Sequence, residues 1–151
     1  MTRPTPASSS SRGGRSDGAS AAGRRLQRAG LAFETGILEE LHARRPDDIA
    51  LLAALAEACT RLRRYRRGLQ LDRQLAQHDP ADPVIRFNLA CSCSLTGDLP
   101  AAAAELLMAL QLGYRDFAHL LRDADLRRLR QSSAFEPVRA RIEQLQRKTP
   151  G

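Results

Sequence analysis

Five arginines fall within one stretch of seven residues, at Arg61, Arg63, Arg64, Arg66 and Arg67. Guanidinium groups form paired, charge-assisted hydrogen bonds, so such a cluster could bind phosphate, nucleic acid or an acidic protein. The same side chains could instead surround a solvated turn, with Glu57 and Asp72 as ion-pair partners. We favour this second interpretation because residues 31–151 carry a net charge of only +2, although the whole chain carries +7.

Other residues that could carry chemistry do not come together in the sequence. Three histidines lie far apart, at His42, His78 and His119. Cys91 and Cys93 are two residues apart on a predicted helix, so their side chains point about 200° apart and cannot chelate one metal. We expect Cys59 and Cys93 to be buried and to pack like small hydrophobic residues. No catalytic triad, paired-carboxylate site or phosphate-binding glycine loop is seen, so we predict a non-enzyme without cofactor or metal.

A 34-residue period runs through the middle of the chain. The residue pairs at this offset are Pro46 and Pro80, Asp48 and Asp82, Leu55 and Leu89, Ala56 and Ala90, and Cys59 and Cys93. A period of this length is typical of stacked two-helix units, none of which buries its apolar face alone. Aromatic residues make up only 4% of the chain and no run alternates as a strand would. The sequence therefore predicts an all-α fold of antiparallel helix-turn-helix repeats.

Apolar spacing predicts the helices of these repeats. We expect helices at about residues 31–43, 49–62, 66–77, 82–95 and 98–112, short pieces at 117–121 and 125–130, and a last helix ending near 146. In the first helix, Ile37, Leu38 and Leu41 are predicted to face the core. Before the last helix, Ser133 and Glu136 have the spacing of a capping box.

The composition divides the chain into a tail and a domain. Residues 1–30 are rich in Ser, Gly and Arg and carry +5 of the net charge, so we predict a disordered tail. The domain, 31–151, then holds a half unit at 31–48, repeats at 49–82 and 83–116, and a cap at 117–147. Unpaired cysteines suit a reducing, cytoplasmic compartment. No apolar run reaches the ~20 residues that span a bilayer, so no membrane association is expected.

Each repeat has a large apolar residue followed by a small one near the middle of its first helix, at Leu55-Ala56 and Leu89-Ala90. In these motifs, and in the turn Gly97-Asp98, residues 31–116 resemble the tetratricopeptide repeat family.

The resemblance has departures and an extension. Arg63-Arg64 stands where the family has its glycine turn, and Asp72 and Leu75 stand where it has small residues. Residues 110–126 resemble the end cap of many bacterial members. The resemblance thus implies a short tetratricopeptide-like solenoid with a C-terminal helical cap.

The family resemblance also implies a binding surface. First helices of such repeats line a concave groove for extended peptides or helices. Carried over, the partner-binding residues would be Glu57, Arg61, Val84, Phe87, Asn88 and Cys91. Asn88 either bonds a ligand backbone, since its amide donates and accepts, or is solvated on an unoccupied groove. Ala53 and Glu57 replace the Lys and Asn that clamp a terminal carboxylate in one family subset, which argues against that ligand.

Three functions follow from these features. The first is a non-catalytic scaffold module that binds a protein or peptide of unknown identity in the groove. The second is a nucleic-acid or polyanion adaptor that uses the basic tail and the turn residues Arg63, Arg64, Arg66 and Arg67. The third is an accessory domain that works within a larger assembly or by self-association. We favour the first, and fold resemblance alone assigns none of them.

Overall fold

The computed structural model describes residues 20–148, which fold into eight α-helices and two short 3₁₀ turns. The first five helices are α1 (Ala21–Arg44), α2 (Ile49–Arg61), α3 (Tyr65–His78), α4 (Pro83–Thr96) and α5 (Leu99–Gln111). They are followed by α6 (Phe117–Arg122), α7 (Arg127–Arg130) and α8 (Glu136–Lys148), with 3₁₀ turns at Ala124–Leu126 and Ser133–Phe135. Residues 20–148 contain no strand, and each helix from α1 to α5 packs against the next. The predicted all-α, repeat-like fold is confirmed.

The period of the sequence is also the period of the helices. α2 and α4 begin 34 residues apart, and so do α3 and α5. At the start of α2, Asp48 accepts a hydrogen bond from the Leu51 N–H. At the start of α4, Asp82 accepts from the N–H groups of Val84 and Ile85. A carboxylate in this position satisfies helix N–H groups that lack a partner, so the repeated Asp fixes where each unit begins.

The turns inside the two units share one backbone geometry. The N–H groups of Arg64 and Asp98 each donate to the carbonyl five residues earlier, a closure that ends many helices. The closure needs a residue with positive φ, which is Gly97 (91°) in the second unit and Arg63 (61°) in the first. Glycine adopts this conformation freely, whereas an arginine does so at a steric cost. Two different sequences therefore form the same turn.

Two apolar clusters form the core, and one side chain joins them. The smaller lies between α2 and α3 and consists of Leu52, Leu55, Ala56, Cys59, Leu71 and Leu75. The larger is built from α4, α5 and the segment after α5, and its fully buried side chains include Leu106, Leu110, Leu126, Leu129 and Val138. Ile85 of α4 packs against both clusters. The stacked units are thus coupled through the first helix of the second repeat.

The first helix differs most from its prediction. It begins at Ala21, ten residues before the predicted start, so residues 21–30 are helical although the sequence assigns them to a tail. Ser20 caps this helix by accepting a hydrogen bond from the Gly23 N–H, and that single cap allows the helix to continue through Gly30. The rest of the predicted tail, residues 1–19, lies outside the described residues. Ile37 faces outward, and the residue that α1 buries fully is Thr35.

The predicted capping box before the last helix is wrong. Ser133 begins a 3₁₀ turn rather than an α-helix, and α8 starts at Glu136 itself. The preceding Ser132 directs its hydroxyl to the carbonyl of Leu129. The inward residues of α8 are as predicted, since Val138, Ile142 and Leu145 are all buried. The apolar spacing therefore determined the face of this helix but not its start.

None of the helices formed by residues 20–148 combines the length and the apolar character needed to cross a bilayer.

Candidate functional site

A cleft of about 540 Å³ lies between α2 and α4, and we call it the α2–α4 groove. Its lining residues are Ala53, Ala54, Ala56, Glu57, Thr60, Asp72, Leu75, Asn88, Ser92 and Asp125. Those from α2 and α4 come from the first helices of the two repeats, which the 34-residue period stacks side by side. Alanines on α2 leave space that larger side chains would fill. The remaining lining residues come from α3 and from the 3₁₀ turn after α6.

The most deeply buried charged group in the α2–α4 groove is Asp72. Its residue is only 6% exposed, and the Ser92 hydroxyl donates a hydrogen bond to its Oδ2. Among residues 20–148, this is the one hydrogen bond that the Asp72 carboxylate accepts. Burial raises the pKa of Asp72 to about 6, and the Ser92 hydrogen bond lowers it in part. The Asp72 carboxylate therefore lacks most of the stabilisation that a buried charge requires.

The α2–α4 groove is acidic. Among the described residues 20–148, three carboxylates line it, those of Glu57, Asp72 and Asp125, and no lysine, arginine or histidine does. Burial, and then the charge of Asp123, raise the pKa of Asp125. A positive charge placed among these groups would favour their ionised forms. The groove can therefore accept a cation, while the exposed amide of Asn88 can bond a peptide unit.

Beside the groove, the segment after α5 lies over α4 and brings together a small polar cluster. The Cys91 thiol donates to Asp123 Oδ2 at 3.9 Å, and His119 Nε2 lies 3.2 Å from the same oxygen. Ligand-type atoms of Cys91, Asp123 and Asp125 all lie within 4.8 Å of one another. Burial and the neighbouring carboxylates raise the pKa of the Cys91 thiol, so it is a donor here and not a nucleophile.

Phe87 does not present its ring to the groove. It is 4% exposed, and its ring stacks on Tyr114 with centroids 4.6 Å apart. The His119 ring lies 5.3 Å from it on a tilted plane. Tyr114 stands 34 residues after Pro80, at the closing position of the second repeat, and the chain turns back over α4 from that point. The C-terminal segment thus covers part of the surface that the family resemblance assigned to a ligand.

The six predicted partner-binding residues are separated by the structure. Glu57 and Asn88 line the α2–α4 groove. Phe87 and Cys91 are buried beneath the C-terminal segment, and Val84 is exposed but outside the groove lining. Arg61 faces a different cleft. The sequence pattern placed all six residues on α2 and α4, but it did not predict which of them the C-terminal segment would cover.

A second cleft, of about 830 Å³, lies between α1 and the turn after α2. Its lining residues are Arg24, Gln27, Arg28, Gly30, Leu31, Glu34, Arg61 and Arg63. Four guanidinium groups and one carboxylate give this cleft a basic character, and we call it the α1–α2 cleft. Arg24 and Arg28 lie in the part of α1 that the sequence assigned to the basic tail, so their position in a cleft with Arg61 and Arg63 was not predicted.

The rest of the arginine cluster is arranged differently. Arg67 donates two hydrogen bonds to the Glu39 carboxylate, at 2.8 and 3.0 Å, and this pairing lowers the pKa of Glu39 and raises that of Arg67. A shallow cleft of about 540 Å³ is lined by Arg63, Arg64, Tyr65, Arg66, Arg67, Leu95 and Thr96. Neither Glu57 nor Asp72 pairs with any of these arginines, so the predicted ion-pair partners are wrong. The partner that the cluster does use lies on α1, 28 residues away.

Comparisons with protein-family models, with curated proteins and with solved structures each returned no match to this chain. The resemblance to tetratricopeptide repeats therefore stays a prediction from the sequence.

Proposed function

We propose that this protein is a non-catalytic scaffold module that binds an extended peptide in the α2–α4 groove. The observation that carries the proposal is the groove itself, a cleft of about 540 Å³ between the first helices of two stacked repeats. Stacked helical repeats commonly use such concave surfaces for binding. Asn88 is exposed at the groove and can donate to one peptide carbonyl while accepting from one peptide N–H.

The electrostatics of the groove restrict the peptide. Glu57, Asp72 and Asp125 give it negative charge, so an acidic segment would be repelled and would leave the carboxylates unpaired. A lysine or arginine side chain supplies the counter-charge that Asp72 lacks. A long basic side chain can also extend its aliphatic stem over Ala53 and Ala54 while its charged head reaches the carboxylates. The preferred peptide is therefore one with a basic residue at its centre.

The test is a set of peptides that differ only in a central residue, which is Lys, Arg, Ala or Glu. Fluorescence anisotropy with the full chain should rank the basic peptides first and the Glu peptide last. The double variant Glu57→Gln with Asn88→Ala should lower the affinity for the basic peptides by about tenfold or more. It removes one negative charge and one amide that both donates and accepts hydrogen bonds. Both side chains are exposed, so the helical circular dichroism should be unchanged.

A matched control is Glu143→Gln with Gln144→Ala, which makes the same chemical changes on exposed positions of α8. That variant should bind as the wild type does. Equal affinity for all four peptides, or an unchanged affinity in the Glu57 and Asn88 double variant, would contradict the proposal.

The second candidate function is polyanion binding, and the α1–α2 cleft favours it. Arg24, Arg28, Arg61 and Arg63 surround a cleft with Glu34 as its one acidic lining residue. This function predicts that a short RNA or heparin fragment binds with a steep salt dependence, and that neutralising Arg61 and Arg63 reduces the slope. If the polyanion binds weakly and its affinity does not change with salt concentration, the α2–α4 groove remains the proposed binding surface.

A further inference from the structure

The outer face of α1 carries large apolar side chains that no described residue covers. Leu26 is 76% exposed, Phe33 is 72% exposed and Ile37 is 45% exposed. Their spacing of seven and four residues places them on one stripe of the helix. Gly30 lies on the same stripe, and a Cβ added there would meet nothing within 4 Å. We call these four residues the α1 stripe.

The α1 stripe lies at the N-terminal end of the described repeats. The end of a helical array normally presents a polar face, because an apolar one would be left in water. α8 meets this requirement, since its apolar residues Val138, Ile142 and Leu145 are all buried. α1 does not, because Leu26, Phe33 and Ile37 face outward, although Leu38 on its other side packs against the smaller apolar cluster. The α1 stripe therefore has the character of a surface that another helix covers.

Charge is distributed unequally along α1. Arg25 and Arg28 lie in its N-terminal half, and Glu34 and Glu40 lie in its C-terminal half. Apart from His42 and Arg44 in the last turn, this order is opposite to the one that the helix dipole favours, with acidic residues near the start and basic residues near the end. Neither Arg25 nor Glu40 has an ion-pair partner among residues 20–148. Two such helices laid antiparallel would place the basic half of each beside the acidic half of the other.

We infer that two copies of this chain pair antiparallel through the α1 stripe, about a twofold axis between Gly30 and Phe33. In this register Leu26 of one copy lies opposite Ile37 of the other. Each Phe33 ring lies over the Gly30 of the opposite copy, where the missing Cβ leaves room for it. At one rim, each Arg25 faces Glu40 of the opposite copy. A single self-complementary surface accounts for the apolar, glycine and charged positions together.

The pairing is compatible with groove binding and of limited strength. No residue of α1 lines the α2–α4 groove, so the dimer presents two open grooves. The α1 stripe extends over 12 residues, from Leu26 to Ile37, or about 17 Å along the helix axis. An interface of that length is small, so the dimer should be reversible and of micromolar affinity.

Sedimentation equilibrium of the full chain over a wide concentration range tests this inference. The wild type should show a reversible monomer–dimer equilibrium. Phe33→Asp should weaken association by about thirtyfold or more, because it puts two charges into the centre of the interface. The control Leu121→Asp, at a 43% exposed apolar position on α6, should associate like the wild type. A wild type that stays monomeric throughout would overturn the inference.

Gly30→Leu separates association from folding. Leucine has a higher helix propensity than glycine, so the melting temperature of the monomer should rise. The added side chain would occupy the space of the opposite Phe33, so dimerisation should be lost. A Gly30→Leu protein that still dimerises as tightly as the wild type would overturn the proposed register.

Charge reversal tests the antiparallel orientation. Arg25→Glu and Glu40→Arg should each weaken self-association by about tenfold at low salt, since each places like charges together in both symmetry-related contacts of that rim. An equimolar mixture of the two variants should recover dimers, because every rim contact then joins a Glu to an Arg. Failure of the mixture to recover would overturn the antiparallel pairing, since parallel helices would not bring residue 25 near residue 40.

Discussion

Asp72 is the residue that links the stability of the fold most directly with the binding that we propose. Asp72 is buried and accepts one hydrogen bond, from Ser92. The repeat family that the sequence resembles has a small residue at this position. A buried carboxylate with so few partners costs folding free energy when ionised. A cationic ligand would stabilise it, so part of the stability that Asp72 removes from the free protein is returned on binding. Residues that weaken a fold in this way are expected at binding sites.

The pH dependence of stability should report this residue. Burial raises the pKa of Asp72 from 3.8 to about 6, so the folded state holds the proton more tightly than the unfolded chain does. Its stabilising contribution is full below about pH 4 and is lost as the pH rises through about 6. Asp72→Asn should remove this dependence and raise the free energy of unfolding at pH 7 by about 1–3 kcal/mol. Urea denaturation at several pH values measures it.

The control for this measurement is Asp47→Asn, at an exposed position before α2. This variant makes the same Asp→Asn change at a position that is not buried, so it isolates the contribution of burial. If Asp72→Asn is as pH-dependent as the wild type between about pH 4 and 6, Asp72 is not the titrating group.

At the scale of the elements, the sequence predicted most of the fold. The 34-residue offset and the Asp N-caps located α2 to α5 to within about two residues, because local signals determine where these helices begin and end. The start of α1 was missed because Gly23, Gly30 and a low apolar content obscured the helical character of residues 21–30. The coverage of Phe87 was missed because it depends on how the irregular segment after Gly113 folds back. That contact is tertiary and has no local signal.

The two matched turns allow a test of the shared backbone geometry. Gly97→Ala should destabilise the protein by about 1 kcal/mol, because φ is 91° there. The added Cβ would meet the Arg128 guanidinium at 3.6 Å, an ordinary contact, so the backbone conformation accounts for the cost. Arg63→Gly, at the equivalent position, should be neutral or stabilising by up to about 1 kcal/mol, since relief of strain offsets the entropy of glycine. Chemical denaturation measures both changes.

Gly36→Ala is the matched control for these substitutions. Gly36 lies on an exposed face within α1, so alanine should stabilise the helix by about 0.5–1 kcal/mol. If Gly97→Ala and Gly36→Ala change the free energy of unfolding in the same direction, the turn does not depend on the left-handed conformation of residue 97.

For the whole molecule, the two ends of the array contribute unequally to the core. Of the described residues 20–30, none is buried. The segment after Gly113, by contrast, contributes the large side chains Leu120, Leu126, Leu129, Phe135 and Val138, each no more than 2% exposed. Burial of each is worth roughly 1.5–3 kcal/mol. Their sum is comparable with the entire stability of a domain of this size, about 5–15 kcal/mol. The segment after Gly113 therefore covers the C-terminal end of the helical array with buried side chains, whereas residues 20–30 of α1 add none to the core.

Truncation from each end should show this asymmetry. A chain ending at Gly113 should lose its cooperative thermal transition and bind a hydrophobic dye, because Phe87, Leu106 and Leu110 lose their cover. A chain beginning at residue 31 should keep its circular dichroism per residue and melt within a few degrees of the full chain, when both are dilute enough to be monomeric. It should also lose self-association, since Leu26 and Gly30 are gone. If the chain that ends at Gly113 melts as cooperatively as the full chain, the repeats fold without the C-terminal segment. The α2–α4 groove would then form without the segment that contributes Asp125 to it.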